Sequence, residues 1–270
     1  MGLMGLMGII SCDKIDPADY TVYDGAAITW TTGQPILNPV QRAYVEKYTG
    51  PQCRACPKAD STLNVAYKTY GDDLVLVSIN YPSGQGKPFP GEPDMRTDGG
   101  NLWSSYFVGN TIPAARLNRD RSSEPFTGSM DNIVPAIAQA LSPIPSVAVD
   151  MNAVRSDNDN VNVDITLNFL QDFSDPLTLT VLVTEDSLIY KQDSANVTIN
   201  NYVHNHMLRK VITGFWGREL PSTTSNGTML SGTLRFKAAD DLNLEHCHIV
   251  AFLSYKSSRR VINSASCPIQ

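Results

Sequence analysis

The sequence predicts an α/β domain followed by an all-β sandwich domain, and two observations carry this prediction. In the first half, strand-like apolar runs alternate with helix-like runs, which is typical of a β-α-β unit with a parallel pair of strands. After the proline-rich segment at residues 142–146, apolar and polar residues alternate with a period of two, and no helical pattern separates the runs. Short strands without intervening helices favour an antiparallel sandwich over residues 143–270.

The composition is that of a folded protein rather than a nucleic-acid binder. The chain has 270 residues, a hydrophobic fraction of 42%, a formal net charge of −6 and a pI near 5.2. That length allows two domains, each with its own core. The acidic balance argues against nucleic acid as a partner. No apolar run reaches the roughly 20 residues that a membrane-spanning helix needs.

The N-terminus predicts a lipid anchor instead. Residues 9–12, Ile-Ile-Ser-Cys, follow a short apolar stretch and resemble a bacterial lipobox, so residues 1–12 form a lipoprotein signal that ends at a lipidated Cys12. Because no lysine or arginine precedes Cys12, a buried hydrophobic first strand is the alternative. Acyl chains would hold the protein at a bilayer surface, and the implied export makes disulfides permissible. Residues 13–40 are then a tether and N-terminal extension.

The α/β domain is predicted over residues 41–142. Its second strand is apolar almost throughout, as expected for a strand that is covered on both faces. The predicted elements are a strand at 41–48, a helix at 56–70, a strand at 74–80, a loop at 81–100, a helical turn at 101–107 and a helix at 129–141.

Cys53 and Cys56 are separated by two residues and lie where the first strand gives way to the first helix. The unpaired N–H groups and positive dipole of a helix N-terminus favour the thiolate form of a cysteine, and Arg54 adds a cation. This position predicts a redox-active dithiol. The alternatives are an inert disulfide or half of a zinc site. Zinc is the weaker one because it needs a second ligand pair, and the next cysteine along the chain is Cys247.

Two further residues resemble parts of a thioredoxin site. In that fold an X-Pro pair with a cis peptide bond faces the dithiol at the start of a strand, and Ile112-Pro113 stands in that position. A trans proline that opens an edge strand is the alternative. Glu46 lies seven residues before Cys53, near where thioredoxins bury a carboxylate with a raised pKa as proton acceptor. A solvent-facing strand glutamate is equally consistent with the sequence.

The second half predicts seven short strands and one structural disulfide. A final hairpin that turns about Ser257 places Cys247 directly opposite Cys267, close enough to bridge. That bond would use every cysteine: one lipidated, two redox-active and two stapling. The predicted strands are at residues 147–151, 161–167, 177–183, 204–212, 228–236, 247–255 and 261–266.

All four histidines fall in two His-x-His pairs, His204/His206 and His246/His248. Alternate residues of a strand share a face, so neighbouring strands would bring the four imidazoles into one metal site. Surface or packing histidines are the favoured interpretation, because no carboxylate is arranged near them in the sequence. We therefore expect no metal and no other cofactor.

Three segments together resemble one family: the lipobox, the stretch from Glu46 to Pro57 with its cysteine pair, and the stretch from Tyr202 to Arg209. They are similar to the twenty-eight-kilodalton outer membrane protein-related (Omp28-related) lipoproteins of Bacteroidetes. The resemblance implies a thioredoxin-like first domain, a β-rich C-terminal domain, and an address at the outer membrane of the cell envelope, facing the periplasm or the surface. Gln52 departs from thioredoxins, which usually carry a tryptophan before the first cysteine.

The favoured function is thiol-disulfide exchange with an exported protein or a small disulfide. Cys53 would attack as the thiolate, Cys56 would resolve the mixed disulfide, and Pro113 would shape the substrate groove. One alternative is a surface binding protein or adhesin in which the cysteine pair is a structural disulfide. A metal-binding lipoprotein, which rests on the histidines alone, is the other.

Overall fold

The structure is a computed structural model that describes residues 28–156, 159–222 and 224–270. The predicted lipid site Cys12 and its signal lie outside the described residues. The described helices are α1 Cys56–Tyr70, α2 Asp98–Phe107 and α3 Ile133–Leu141. The described strands are β1 Thr29–Thr32, β2 Ala43–Thr49, β3 Leu74–Asn80, β4 Ala114–Leu117, β5 Phe126–Thr127, β6 Val147–Arg155, β7 Asn160–Phe169, β8 Leu177–Glu185, β9 Leu188–Ser194, β10 Val197–His204, β11 Met207–Val211, β12 Arg218–Glu219, β13 Met229–Lys237, β14 Cys247–Tyr255 and β15 Val261–Pro268.

The first half is a sheet with helices on both faces. β2 and β3 pair in parallel along their whole length, from Ala43 opposite Leu74 to Thr49 opposite Asn80, and β4 pairs antiparallel with β2. α1 and α3 share one apolar cluster with β2 and β3, whereas α2 packs on the opposite face. Because both faces are covered, every residue of β2 and β3 is buried. The predicted order of strand, helix and strand is confirmed, with α1 and β3 at the predicted residues.

The second half is a β-sandwich. A four-stranded sheet in the order β1-β13-β7-β6 packs against β8, β14 and β15. Inward-facing residues alternate along the strands, as from Leu230 to Phe236 in β13. The seven predicted strands are present as β6, β7, β8, β11, β13, β14 and β15. β1 comes from the N-terminal extension, so this layer also contains a strand that precedes the α/β half.

The two halves share one sheet. β11 pairs antiparallel with β8 and lies parallel to β3, with Met207 opposite Ser78. The Ser78 N–H donates to the His206 carbonyl oxygen at 2.7 Å. The long sheet described here has nine strands, eight of them in the order β15-β14-β8-β11-β3-β2-β4-β5, with β12 beside β8. The domain boundary at residue 142 stays a prediction, because the hydrogen bonds of one sheet join strands on both sides of it.

A hairpin that the sequence analysis did not predict stands apart from both large sheets. β9 and β10 pair antiparallel and form a two-stranded sheet of their own. Ser194 and Val197 face each other, so the connection consists of Ala195 and Asn196 alone, and Ala195 has a positive φ of 50°. Such short turns usually reveal themselves by Asn-Gly or Asp-Gly, and this turn contains no glycine.

The predicted disulfide between Cys247 and Cys267 is wrong. Both cysteines are free. The β14–β15 pairing places Ile249 opposite Cys267, two residues from the predicted partner. The pairing beside the turn, Ser254 opposite Val261, is displaced by one residue, and the irregularity between Leu253 and Ser254 adds the second. The two cysteines are therefore diagonal neighbours. Diagonal Cα atoms lie about 7–8 Å apart, beyond the reach of a disulfide.

Candidate functional site

The first cysteine pair forms a disulfide at the junction of β2 and α1, at the position that the sequence indicates. The Cα atoms of Cys53 and Cys56 lie 5.4 Å apart. The Cys53 N–H donates to the Gly50 carbonyl oxygen at 3.0 Å, and the Cys56 N–H donates to the Cys53 carbonyl oxygen at 3.2 Å. α1 begins at Cys56, and Pro57 occupies its first turn, where a missing N–H costs no helical hydrogen bond. The positive end of the helix dipole therefore points at the disulfide.

Pro113 lies at the same end of the sheet as the disulfide loop. The Ile112–Pro113 peptide bond is cis, as the sequence predicts. β4 begins at the next residue, Ala114, which stands opposite Tyr48 in β2. β2 ends one residue further, at Thr49, and the loop with the disulfide follows at once. The fold thus brings the proline and the cysteine pair to the ends of adjacent strands.

The disulfide is closed off from solvent. Cys53 and Cys56 are each 1% exposed. On one side, the loop after β3 contacts Gln52. The Gln52 N–H donates to the Gln85 carbonyl oxygen at 3.0 Å, and the Gln52 side-chain amide donates to the Lys87 carbonyl oxygen at 3.0 Å. This loop comes so close that a Cβ atom at Gly50 would lie 2.4 Å from the Gln85 oxygen. Neither sulfur atom of the disulfide is therefore accessible to a partner in this closed arrangement.

On the other side, the tip of the β9–β10 hairpin binds the backbone around the disulfide. The Asp193 N–H donates to the Pro51 carbonyl oxygen at 2.7 Å. The Ala195 N–H donates to the Arg54 carbonyl oxygen at 3.0 Å. The two contacts flank the first cysteine in sequence, so the hairpin tip lies directly against the disulfide loop.

The side chain of Gln192 completes this cover. Its amide group donates to the carbonyl oxygens of Gly50 and Cys53, both at 3.1 Å. Gln192 is itself only 1% exposed. Sequence analysis missed it because 139 residues separate Gln192 from Cys53. A periodic pattern in the sequence predicts which side of a strand is buried, but it does not predict which distant loop packs against that side.

Packed side chains anchor the base of the same hairpin. The Tyr202 hydroxyl donates to one oxygen of Asp60 at 2.7 Å, and the other oxygen forms an ion pair with Lys47. Burial and the Asp60 carboxylate raise the pKa of Tyr202. His204 stacks on Tyr190 with ring centroids 3.5 Å apart. Burial, assisted by the charge of Lys47, lowers the pKa of His204 to about 4.

Glu46 is buried on the face of β2 that points away from α1. Its carboxylate accepts hydrogen bonds from the Tyr44 and Tyr48 hydroxyls at 2.8 and 2.7 Å and forms an ion pair of 2.5 Å with Arg119. Both tyrosines pack in the cluster that contains α2, so Glu46 faces α2 as well. The predicted position beneath the dithiol is therefore wrong, and 0% exposure also excludes the solvent-facing alternative. Lys47, the next residue, faces α1 instead.

The four histidines do not form one site. His206 and His248 approach the two oxygens of Asp186, with Nδ1–O distances of 3.3 and 3.6 Å. His204 is the last residue of β10 and stacks on Tyr190, and His246 lies in a separate short helical turn. Within the described part of the chain, no group of three or more His, Cys, Asp or Glu side chains is arranged to hold a metal ion.

Comparison with known families identifies most of the chain. A family model described as Outer membrane protein Omp28 matches residues 101–270, more than half of the sequence. The chain belongs to the Omp28 family. Its location is accordingly the outer membrane. The match begins inside α2, so the assignment rests on residues that follow the disulfide loop. Each helix described in this Omp28-family chain is too short or too polar to cross a bilayer.

Solved structures resemble this Omp28-family chain at low sequence identity. HBP35 of Porphyromonas gingivalis has a TM-score of 0.69 at 16% identity, over 86% of this chain and 76% of that one. A structural-genomics target from Agrobacterium tumefaciens has a TM-score of 0.50 at 14% identity, over 85% and 95% of the two chains. A domain of the outer membrane lipoprotein Omp28 from Porphyromonas gingivalis is 20% identical over 47% and 91%, with a TM-score of 0.34. The first two show a likeness of fold alone. No curated protein matches the chain.

Proposed function

We propose that residues 41–142 form a thioredoxin-like domain and that Cys53 and Cys56 exchange disulfides with an exported partner. The observation that carries the proposal is the disulfide at the first turn of α1, beside the strand end that carries Pro113. The order β2-α1-β3-α2-β4-β5-α3, with β2 and β3 parallel and β4 antiparallel, supports the thioredoxin-like assignment. The positive end of the α1 dipole favours the thiolates that such exchange requires.

The proposed exchange starts from the disulfide seen in the structure. A thiolate of the partner attacks the Cys53 sulfur, the bond between Cys53 and Cys56 breaks, and Cys56 leaves as a thiolate that takes up a proton. A second partner thiol then attacks the partner sulfur of the mixed disulfide and releases Cys53. The two partner thiols are oxidised to a disulfide, and the two cysteines of this chain are reduced. In the opposite direction, the Cys53 thiolate attacks a partner disulfide and Cys56 resolves the product.

The proposal includes a lipid anchor at Cys12. The lipobox-like residues 9–12 and the outer membrane location of the family support it. We expect the mature chain to begin at an acylated Cys12 when it is made in a bacterial host. Mass spectrometry of the N-terminus checks this, and a mature chain that retains Leu3 or Met4 would contradict it.

Trapping of mixed disulfides tests the exchange. In Cys56→Ala the resolving thiol is lost while attack survives, so the variant should accumulate disulfide-linked partners in its native envelope. Cys53→Ala should trap none, because the proposed attacking thiolate is lost. Cys247→Ala is the matched control, since Cys247 is a buried free thiol outside the site. Absence of any Cys56→Ala adduct under non-reducing conditions would remove the redox assignment.

A second candidate is a binding protein in which the disulfide is structural, and the 1% exposure of both cysteines favours it. Closing so short a loop constrains the unfolded chain by about 2 kcal/mol. Under this candidate, the double variant of Cys53→Ala and Cys56→Ala loses stability by about that amount but keeps partner binding. A pull-down from envelope extracts with the double variant separates the two functions, because exchange requires the cysteines and binding does not.

A further inference from the structure

We infer that the tip of the β9–β10 hairpin occupies the substrate groove of the disulfide and imitates an extended polypeptide segment, which is therefore the substrate class of this site. This inference rests on the proposed exchange function. It assigns a role to Gln192, Asp193 and Ala195, which lie far from the cysteines in sequence and touch the backbone on both sides of Cys53.

The extended end of β9 contacts the disulfide loop, and the turn that follows it makes a second contact. Asp193 and Ala195 are two residues apart, and both donate their N–H groups to carbonyl oxygens of the disulfide loop, at Pro51 and Arg54. Asp193 belongs to the extended strand β9, whereas Ala195, with its positive φ, belongs to the turn, so the Asp193 bond is the one that an extended chain can reproduce. Proteins that bind extended peptides use such main-chain hydrogen bonds for affinity and side-chain contacts for selectivity. An extended partner segment can make the bond to the Pro51 carbonyl oxygen and place a side chain where Gln192 lies.

One side chain adds selectivity. The buried amide of Gln192 satisfies two carbonyl oxygens at once, those of Gly50 and Cys53. Both oxygens also accept a backbone hydrogen bond, from the Cys53 and Cys56 N–H groups, so a displacing segment that lacks a side-chain donor forgoes only the net contribution of the two Gln192 bonds. We therefore expect the groove to favour an extended segment with a Gln-like donor one residue before the first main-chain contact.

The tip can leave without unfolding the rest of the molecule. The base of the hairpin is held by an apolar cluster that includes Tyr190 and by the bond from Tyr202 to Asp60. The tip is held by the hydrogen bonds at residues 192–195, which a substrate or water can replace one for one. The outer face of the hairpin is open to solvent, with Ile189 63% exposed. Opening is thus a local event with low cost in buried apolar area.

The rate at which dithiothreitol reduces the oxidised protein tests whether the hairpin tip limits access to the disulfide. Gln192→Met keeps the size of the side chain but removes both donors, so the disulfide should be reduced about tenfold faster than in the wild type. Ile189→Ala, on the outer face of the same strand, should be reduced at the wild-type rate. An unchanged rate in a folded Gln192→Met variant would overturn the inference. If that variant does not fold, hydrogen exchange of the wild type decides: amide exchange of Asp193 and Ala195 only through global unfolding would overturn it equally.

Two peptides test the substrate class. One is residues 190–196 with Ser194→Cys, and the other carries Gln192→Ala in addition. The first peptide should reduce the wild-type disulfide several-fold faster than the second. Glutathione is the control, because it measures the rate of reduction by a thiol that the groove does not recognise. Equal rates for the two peptides would overturn the inference even if Cys56→Ala traps partners. Discrimination between them, with no trapped partner in the envelope, would instead leave the groove in place and remove the proposed exchange function.

Discussion

Removing the negative charge of Glu46 tests two things: the contribution of the buried ion pair to stability, and whether Glu46 takes part in disulfide exchange. Glu46→Gln keeps the shape of the side chain but leaves Arg119 charged and 1% exposed without its carboxylate. The guanidinium also lies over the rings of Trp103 and Phe252, at 4.2 and 4.6 Å from their centroids. Breaking a buried pair typically costs 3–5 kcal/mol, and the rings compensate part of the lost attraction. We therefore expect the free energy of unfolding to fall by about 3 kcal/mol.

Denaturant titration measures this loss, and a double-mutant cycle identifies its origin. Arg119→Met removes the other partner, so the double variant should be more stable than the sum of the two single losses predicts, because neither charge is left alone. A loss below about 1 kcal/mol in Glu46→Gln would refute the reasoning from desolvation. Since Glu46 faces away from α1, its replacement should not change the rate of disulfide reduction. A slower exchange at unchanged stability would return Glu46 to the site.

Two further predictions concern titration and free thiols. The pKa of His204 is about 4 in the folded chain against about 6.5 unfolded, so the unfolded chain binds the additional proton between these values. Stability should therefore fall as the pH drops from 6.5 to 4, by at most about 3 kcal/mol, and His204→Gln should lose less between pH 7.5 and 4.5 in denaturant titrations. Burial raises the pKa of Cys247 to about 12 and that of Cys267 to about 11. Iodoacetamide without reductant should label Cys247 and Cys267 only after denaturation, while the disulfide-bonded Cys53 and Cys56 stay unlabelled. Peptide mapping that finds Cys247 and Cys267 unlabelled in denaturant would restore the bond between them.

The elements of the first half could be predicted because their signals are local. A strand covered on both faces has a continuous apolar run, and α1 begins where the cysteine pair and Pro57 place its first turn. The cysteine pair and Ile112-Pro113 were visible for the same reason. The contact of the β9–β10 hairpin with the disulfide loop could not be predicted, because Gln192 is brought to Cys53 by tertiary structure alone.

The two errors at named residues have one physical origin, the register of a strand. Glu46 was placed by counting back from Cys53 through a loop, and an error of one residue in such a count exchanges the two faces of a strand. In the structure, Lys47 rather than Glu46 faces α1. The turn and the irregularity between Leu253 and Ser254 each shift the β14–β15 pairing by one residue, so Cys267 lies opposite Ile249 instead of Cys247. The pattern of apolar residues predicts where along the chain a strand lies, but only the register of its pairing determines which residues lie opposite each other.

The shared sheet restricts how this chain can be divided or recombined. A cut at residue 142 would remove β11 from β3 and turn β3 into a sheet edge. β3, Leu74–Asn80, contains no charge and no proline, and such an edge invites pairing between copies. The isolated first half therefore faces a problem of solubility before any question of its chemistry arises. A version cut at residue 142 would need another cover for this edge, such as a charged strand or a partner.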